Sequence, residues 1–200
     1  MMIIRENDAV YVAYSPIREQ TYFKEVYFDV MDFADEDNAW IWKVPGAENC
    51  IMAGIRNSRE IDVLKYCTNL LDGVEGELDI VQVKTKVLPA IKQALVDAGE
   101  LDNVTKVLKN NYYIAQNNKA FSIGRAGNVM EVEDYDRDGA VTNLAISCME
   151  KHKDMPAGQR FAKTAEFLEQ KDGALIFPLV MMDTKNQKLS LINRPQGDQK

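Results

Sequence analysis

The chain has 200 residues, of which 46% are hydrophobic and 28% are charged, a composition typical of one globular domain with a sizeable core. It carries 24 basic and 31 acidic side chains, and the net charge of −7 argues against nucleic-acid binding because no basic surface is available for phosphates. No apolar run reaches membrane-spanning length. The three scattered cysteines suit reduced thiols and predict a cytoplasmic protein.

The first quarter of the chain predicts two antiparallel hairpins. Short apolar runs at Met2–Arg5 and 9–14 predict the first pair of strands. Two further runs, 39–44 and Cys50–Ile55, flank a Pro-Gly turn and predict the second pair. The aromatic-rich segment 17–38 between the hairpins is compatible with either an extra strand or a loop.

Apolar residues at helical spacing predict four helices, and Ser58 is expected to cap the first of them. The predicted helices span residues 59–71, 85–98, 140–151 and 159–169. Five more strands are predicted over residues 112–116, 120–123, 128–132, 174–182 and 189–192. The run 174–182 is almost continuously apolar, which is typical of a central strand that is covered on both faces.

The order of these elements predicts an α+β fold. Two helix pairs alternate with strand segments, and both pairs cannot cover one face of a single sheet without crowding. The economical packing is a four-layer αββα sandwich, with two antiparallel sheets face to face and one helix pair outside each sheet. Residues 1–193 are expected to form this single domain, and residues 194–200 a flexible C-terminal tail.

Several local motifs carry a resemblance to a known family. These motifs are the strand that ends at Ser15, the Lys43-Val44 pair, the Met-Ala-Gly sequence that ends at Gly54, the helix with Asp62, and the acidic Asp-Tyr turn within 129–139. Together with the element order, they resemble the proteasome β-subunits and the bacterial proteasome-like proteases, which have the N-terminal nucleophile (Ntn) hydrolase fold. The resemblance extends over nearly the whole chain.

The resemblance implies a specific catalytic arrangement. Members of the family attack a peptide carbonyl with an N-terminal threonine, whose freed amino group is the base, and a lysine lowers the pKa of the nucleophile. By resemblance, Lys43 is the site lysine, and Gly54 ends the strand whose backbone donates to the oxyanion. From the residues themselves, Lys43 is equally an alternating polar residue of a half-exposed strand, and Gly54 is a packing and turn glycine.

Two positions depart from the family pattern. Met1 and Met2 have no hydroxyl or thiol, and Ser15 stands where the family usually has aspartate. Cleavage in front of Ser15 or Thr21, the nearest hydroxyls, would delete the first strand. We therefore expect a protein that has lost peptidase activity and acts as an assembly, scaffold or binding subunit. The alternative is an active Ntn-type peptidase or amidohydrolase that is processed or uses another nucleophile. The resemblance implies a homo-oligomer of the ring-forming type, with a peptide or protein as ligand.

An acidic segment raises the question of a metal site. Asp134, Asp136 and Asp138 have the spacing of the first half of a calcium loop, but the twelfth position is Ala145 instead of a bidentate glutamate. The segment is therefore either a weak site for Ca²⁺ or another divalent cation, or an acidic loop that caps the next helix. The single histidine, His152, argues against a His-rich zinc site. No other cofactor is expected.

Overall fold

The computed structural model describes residues 1–22, 25–30, 37, 39–55, 58–137, 142–172 and 176–195. Within these ranges the chain forms twelve strands and four helices. The strands are β1 (Met2–Arg5), β2 (Val10–Tyr14), β3 (Ile17–Tyr22), β4 (Glu25–Val30), β5 (Ile41–Lys43), β6 (Cys50–Ile55), β7 (Asn111–Gln116), β8 (Lys119–Ile123), β9 (Val129–Glu131), β10 (Tyr135–Arg137), β11 (Leu179–Asp183) and β12 (Ser190–Ile192).

The helices come in two pairs, one between β6 and β7 and the other between β10 and β11. They are α1 (Ser58–Lys65), α2 (80–97), α3 (Thr142–Lys151) and α4 (Ala157–Asp172). Helix α2 consists of three consecutive segments, of which Ile80–Gln82 and Leu88–Asp97 are α-helical and Val83–Val87 is π-helical. No helix in the described ranges combines the length and the apolar character that a membrane crossing requires.

The strands form two five-stranded antiparallel sheets and one separate hairpin. Sheet 1 has the order β10-β1-β2-β11-β12, and sheet 2 has the order β5-β6-β7-β8-β9. The hairpin pairs β3 with β4, with Ile17 opposite Val30. Of the two interpretations of segment 17–38, the strand is therefore correct for residues 17–22 and 25–30, whereas residues 23, 24, 31–36 and 38 lie outside the described ranges.

Three buried clusters define the layers. The cluster between sheet 2 and its helices includes Met52, Ile61, Leu64, Ile91 and Tyr112. The cluster between the two sheets includes Ile3, Val12, Ile51, Ala115 and Val180. The cluster between sheet 1 and its helices includes Ile4, Ala13, Met149, Phe161 and Leu179. Because successive residues of a strand point to opposite faces, each sheet supplies two of these clusters, and the predicted four-layer αββα sandwich is confirmed.

Several element boundaries differ from the sequence predictions. Helix α1 ends at Lys65 instead of residue 71, and the N–H of Cys67 bonds to the Leu64 carbonyl in the tighter three-residue pattern that often ends a helix. Strand β11 begins at Leu179, since Pro178 has no N–H for a ladder hydrogen bond; residues 174 and 175 of the predicted strand lie outside the described ranges. The three-residue strand β10 was not predicted. Of the predicted C-terminal tail, Arg194 forms an ion pair with Glu169, and residues 196–200 lie outside the described ranges.

Candidate functional site

The start of β1 lies among apolar and aromatic side chains. Met2 pairs with Ala13, so antiparallel register places Met1 beside Tyr14 at the end of β2. The ring of Tyr14 stacks on Trp40, with 5.4 Å between ring centroids, and its hydroxyl accepts a hydrogen bond from the Trp40 backbone N–H at 3.2 Å. Burial raises the pKa of Tyr14 to about 12. Met1 itself packs against the cluster between the sheets.

A small cavity lies next to this region, at the β5 edge of sheet 2. Its volume is about 140 Å³, and its walls come from β5, the end of α1 and strand β11 of the other sheet. The lining residues are Asp37, Ile41, Trp42, Lys43, Lys65, Tyr66 and Met182. The cavity thus opens between the two sheets, and the sequence-predicted Lys43 is one of its walls.

Lys43 is the last residue of β5, which is an edge strand of sheet 2, and its side chain is exposed. It pairs with Ile51, and the neighbouring position on the same face, Ile41, is buried between the sheets. The alternation of side chains therefore directs Lys43 towards the gap between the sheets. Met1 does not line the Lys43 cavity in the described part of the chain. The first residue and the predicted site lysine therefore do not share one cavity.

Lys65 gives the cavity a second cation that the sequence analysis missed. Its side chain is only 8% exposed, and its ammonium donates a hydrogen bond to the backbone carbonyl of Asp37. The Tyr66 hydroxyl donates to the Asp37 carboxylate at 2.9 Å, and the indole N–H of Trp42 is buried without an acceptor in the described ranges. The sequence did contain a signal for the burial of Lys65, because this residue lies one turn beyond Ile61 and next to Leu64 on the apolar stripe of the helix.

Gly54 lies in the interior of β6, where its backbone N–H donates to the Trp40 carbonyl at 3.0 Å. That N–H is therefore already used within the sheet. A Cβ atom at this position would lie 2.9 Å from Cε1 of Tyr112 and 3.2 Å from a side-chain atom of Ile61. The geometry favours the packing role of Gly54 over donation to an oxyanion.

The ring beside Gly54 belongs to a buried polar cluster that the sequence analysis did not predict. The fully buried carboxylate of Glu60 accepts hydrogen bonds from the Tyr112 hydroxyl at 2.7 Å, from the Lys109 backbone N–H at 3.0 Å, and from both the backbone and side-chain N–H groups of Asn110 at 3.0 Å. Desolvation, and then the charge of Glu60, raise the pKa of Tyr112. This cluster fixes the start of α1 against sheet 2.

The predicted acidic metal site is only partly described. Asp136 lies on β10, and its carboxylate accepts a hydrogen bond from the Tyr113 hydroxyl at 3.0 Å. Asp134 lies just before β10 and accepts a backbone hydrogen bond from Arg5, whereas Asp138 lies outside the described ranges. Among the residues that the structure describes, no group of three or more His, Cys, Asp or Glu side chains is arranged to hold a metal ion.

Comparison with known proteins finds similarity in structure. No family model and no curated protein match the sequence. The structure is similar to BPH from Thiobacillus denitrificans, with 15% identity and a TM-score of 0.63 over 91% of this chain and 95% of that one. It is also similar to Anbu from Hyphomicrobium sp. strain MC1, with 12% identity and a TM-score of 0.58 over 96% of this chain and 86% of that one.

A third similar structure is HslV from Trypanosoma brucei, with 10% identity and a TM-score of 0.59 over 91% of this chain and 97% of that one. The similarity covers both sheets and both helix layers, because it extends over at least nine tenths of this chain in all three comparisons. The chain therefore has the four-layer fold of the proteasome-like Ntn hydrolases.

Proposed function

We propose that this chain is a non-proteolytic subunit with the proteasome-like fold, which binds a ligand or takes part in an assembly. The observation that carries the proposal is the cavity beside Lys43. Lys43 and Asp37 bring charges of opposite sign to its lining, and the Lys65 ammonium already bonds to the Asp37 carbonyl. None of the described residues that line the cavity is Ser, Thr, Cys or His, so the lining suits the binding of a polar group better than nucleophilic attack.

The residues around the start of β1 support the same conclusion. Peptidase chemistry of the Ntn type needs a hydroxyl or thiol as nucleophile, and residues 1–14 contain no Ser, Thr or Cys. The family's usual aspartate is replaced by Ser15. The Gly54 N–H, which the resemblance assigned to the oxyanion, bonds to Trp40 instead.

The test uses protein from its own host. Intact mass and N-terminal sequencing establish the mature first residue, and fluorogenic peptides and epoxomicin then test for activity. BPH from Thiobacillus denitrificans, whose structure is known in complex with epoxomicin, is the positive control. We expect no turnover and no covalent adduct. A mature chain that begins with Thr, Ser or Cys, or an epoxomicin adduct, would instead establish the alternative, an active Ntn-type hydrolase.

We also propose that the chain self-associates in the cytoplasm. Large apolar side chains are exposed, among them Val104 at 90%, Tyr66 at 67% and Val81 at 61%, and exposed apolar surface often marks a protein interface. The three cysteines are free thiols, which suits a reducing compartment. Light scattering of the purified protein should give a mass that is a multiple of 22.7 kDa. A monomer at all accessible concentrations would contradict self-association.

A further inference from the structure

The last strand of sheet 1 has little apolar packing to hold it in place. Within the described ranges, β12 pairs only with β11, over the three residue pairs from Leu179–Ile192 to Met181–Ser190, and it forms one edge of the sheet. Two of its three side chains are exposed, Leu191 to 57%, whereas four of the five residues of β11 are buried. A segment with few buried apolar contacts has a low free energy of local opening. Packing alone therefore holds β12 only weakly.

One carboxylate holds both chain ends of the β11–β12 hairpin to helix α4. Glu169 lies near the end of α4, and its side chain is only 12% exposed. Its Oε1 atom accepts hydrogen bonds from the N–H groups of Ile176 and Phe177, just before β11, at 2.7 and 3.2 Å. Its Oε2 atom accepts a hydrogen bond from the guanidinium of Arg194, just after β12, at 2.5 Å. The guanidinium also lies 5.9 Å from the centre of the Phe177 ring, so Arg194 fastens the segment that follows β12.

The turn between β11 and β12 is anchored independently of α4. The carboxylate of Asp183 accepts hydrogen bonds from the backbone N–H groups of two turn residues, Lys185 and Asn186, at 3.0 and 2.7 Å. The side chain of Gln187 donates a hydrogen bond to the Cys50 carbonyl of β6 at 3.0 Å. Loss of the contact with α4 would therefore free β12 and leave the turn in place.

The backbone hydrogen bonds of β11 divide between its two neighbouring strands. The N–H of Thr184 donates to the carbonyl of the first β2 residue at 3.0 Å, at the end of the β2–β11 pairing. Because antiparallel strands form ladder bonds at every second residue, the N–H groups of Val180 and Met182 also point to β2. Those of Leu179 and Met181 point to β12. An opening of β12 alone would thus expose the second pair of amides and leave the first pair protected.

We propose that residues 188–194, which contain β12, form a strap that opens as a unit while both sheets stay folded, and that the Arg194–Glu169 ion pair holds it closed. The closed strap shields the edge of β11, whose N–H and C=O groups would otherwise be open to pairing with another chain. Leu189 packs against the cluster between the two sheets, so opening of the strap also uncovers that cluster from one side. This device goes beyond the proposed function and does not depend on whether peptidase activity is lost.

Native-state hydrogen exchange of the full chain, measured by NMR, tests the strap through neighbouring amides of β11. After correction for intrinsic exchange rates, we expect Leu179 and Met181 to exchange about tenfold or more faster than Val180 and Met182, because only the first two become exposed when the strap opens. Exchange of all four amides at one common rate would show that β12 separates only when sheet 1 unfolds, and this result would overturn the proposal.

Substitution of Arg194 tests the contact that holds the strap closed. The Arg194 side chain is 59% exposed, so the protein should still fold when Arg194→Gln removes the cation. Exchange of Leu179 and Met181 should then become about fivefold faster, because the closed strap loses an ion pair, whereas the amides that point to β2 should exchange as in the parent protein. Arg194→Lys keeps the charge and should restore most of the protection.

Lys185→Gln is the matched control, because it removes the same charge from the turn of the same hairpin. It breaks the exposed ion pair between Lys185 and Asp8, whose charged atoms lie 2.9 Å apart, but it leaves the contact with α4 intact. Exchange of Leu179 and Met181 should therefore be unchanged in this variant. Equal acceleration in Lys185→Gln and Arg194→Gln, or no acceleration in Arg194→Gln, would contradict the assignment.

Discussion

Tyr112 contacts two residues that its side chain constrains, Gly54 and Glu60. Its ring occupies the space that Gly54 leaves open, and its hydroxyl donates to the buried Glu60. A glycine is required at position 54 for steric reasons, since its backbone is an ordinary strand with no positive φ. Sequence reasoning could identify Gly54 and Lys43 as positions of interest, but not their neighbours, because Tyr112 and Lys65 approach them only in the folded chain.

The close contact at Gly54 leads to a stability prediction. Gly54→Ala would place a Cβ atom 2.9 Å from the Tyr112 ring, and we expect a loss of about 1–3 kcal/mol in the free energy of unfolding. Gly158→Ala is the matched control, because no atom lies within 4 Å of a Cβ there and alanine favours the helix. Urea denaturation measures both variants. Equal stability of Gly54→Ala and the parent protein would contradict the packing role.

Tyr14 makes the stability of the protein depend on pH in the alkaline range. Its pKa is raised to about 12 in the folded state, whereas an unfolded tyrosine has a pKa of about 10. The folded state therefore holds the phenolic proton more tightly, and this contribution is complete below pH 10 and is lost as the pH rises from about 10 through about 12. Because phenylalanine cannot ionise, the stability difference between the parent and Tyr14→Phe should shrink by about 1 kcal/mol between pH 9 and pH 11.

Urea denaturation at several pH values measures this difference. Tyr112 and Cys50 also have raised pKa values, but they are present in both proteins and cancel in the comparison. A stability difference that is constant between pH 9 and pH 11 would show that Tyr14 does not titrate differently in the folded and unfolded states.

At the scale of elements, the strands were easier to predict than the ends of the helices. Both the β5–β6 and the β7–β8 hairpins were predicted, and Asn117 adopts a positive φ of 52° in the turn of the second hairpin. Helix α2 was predicted to begin at residue 85 but begins at Ile80. The missed signal is a capping box, in which Asp79 and Gln82 exchange hydrogen bonds. The π-helical segment has no comparable signature in the sequence.

The capping box can be tested directly. The Asp79 carboxylate accepts from the Gln82 backbone N–H at 2.7 Å, and the Gln82 side chain accepts from the Asp79 N–H at 3.1 Å. Asp79→Ala removes the first bond and should lower the free energy of unfolding by about 1 kcal/mol. Glu48→Ala, an exposed acidic position in the β5–β6 turn, removes the same charge and should change stability little. Equal effects of the two substitutions in urea denaturation would assign the loss to charge instead of capping.

At the scale of the whole molecule, the element order was sufficient to predict the four layers. Two helix pairs between strand segments allow few other packings, and the three buried clusters confirm the result. Strand β10 could not be predicted, because Tyr135–Arg137 has no apolar alternation and is a strand only through its pairing with β1.

Removal of residues 1–14 tests whether Ser15 can become the mature N-terminus. Strands β1 and β2 lie in the interior of sheet 1, and most of their side chains are fully buried, so the truncated chain should not fold. Circular dichroism and solubility measure the outcome, with removal of Met1 as the control that keeps both strands. A folded truncated protein that cleaves fluorogenic peptides would show that a hydroxyl at position 15 can serve as the nucleophile.

The short connection between β9 and β10 determines which side of the sandwich can separate. Strand β9 belongs to sheet 2 and β10 to sheet 1, and only residues 132–134 join them. The N–H of Val132 also bonds to the Ala120 carbonyl, and that of Arg5 to the Asp134 carbonyl. The short connection therefore ties the two sheets together at the edge formed by β9 and β10, whereas β5 and β12 form the opposite edge of the sandwich. In the described ranges the β5 margin is bridged by hydrogen bonds, from the Trp40 N–H to the Tyr14 hydroxyl and from the Gln187 side chain to the Cys50 carbonyl. A separation of the two sheets that exposes the interior beside Lys43 would have to break these bonds.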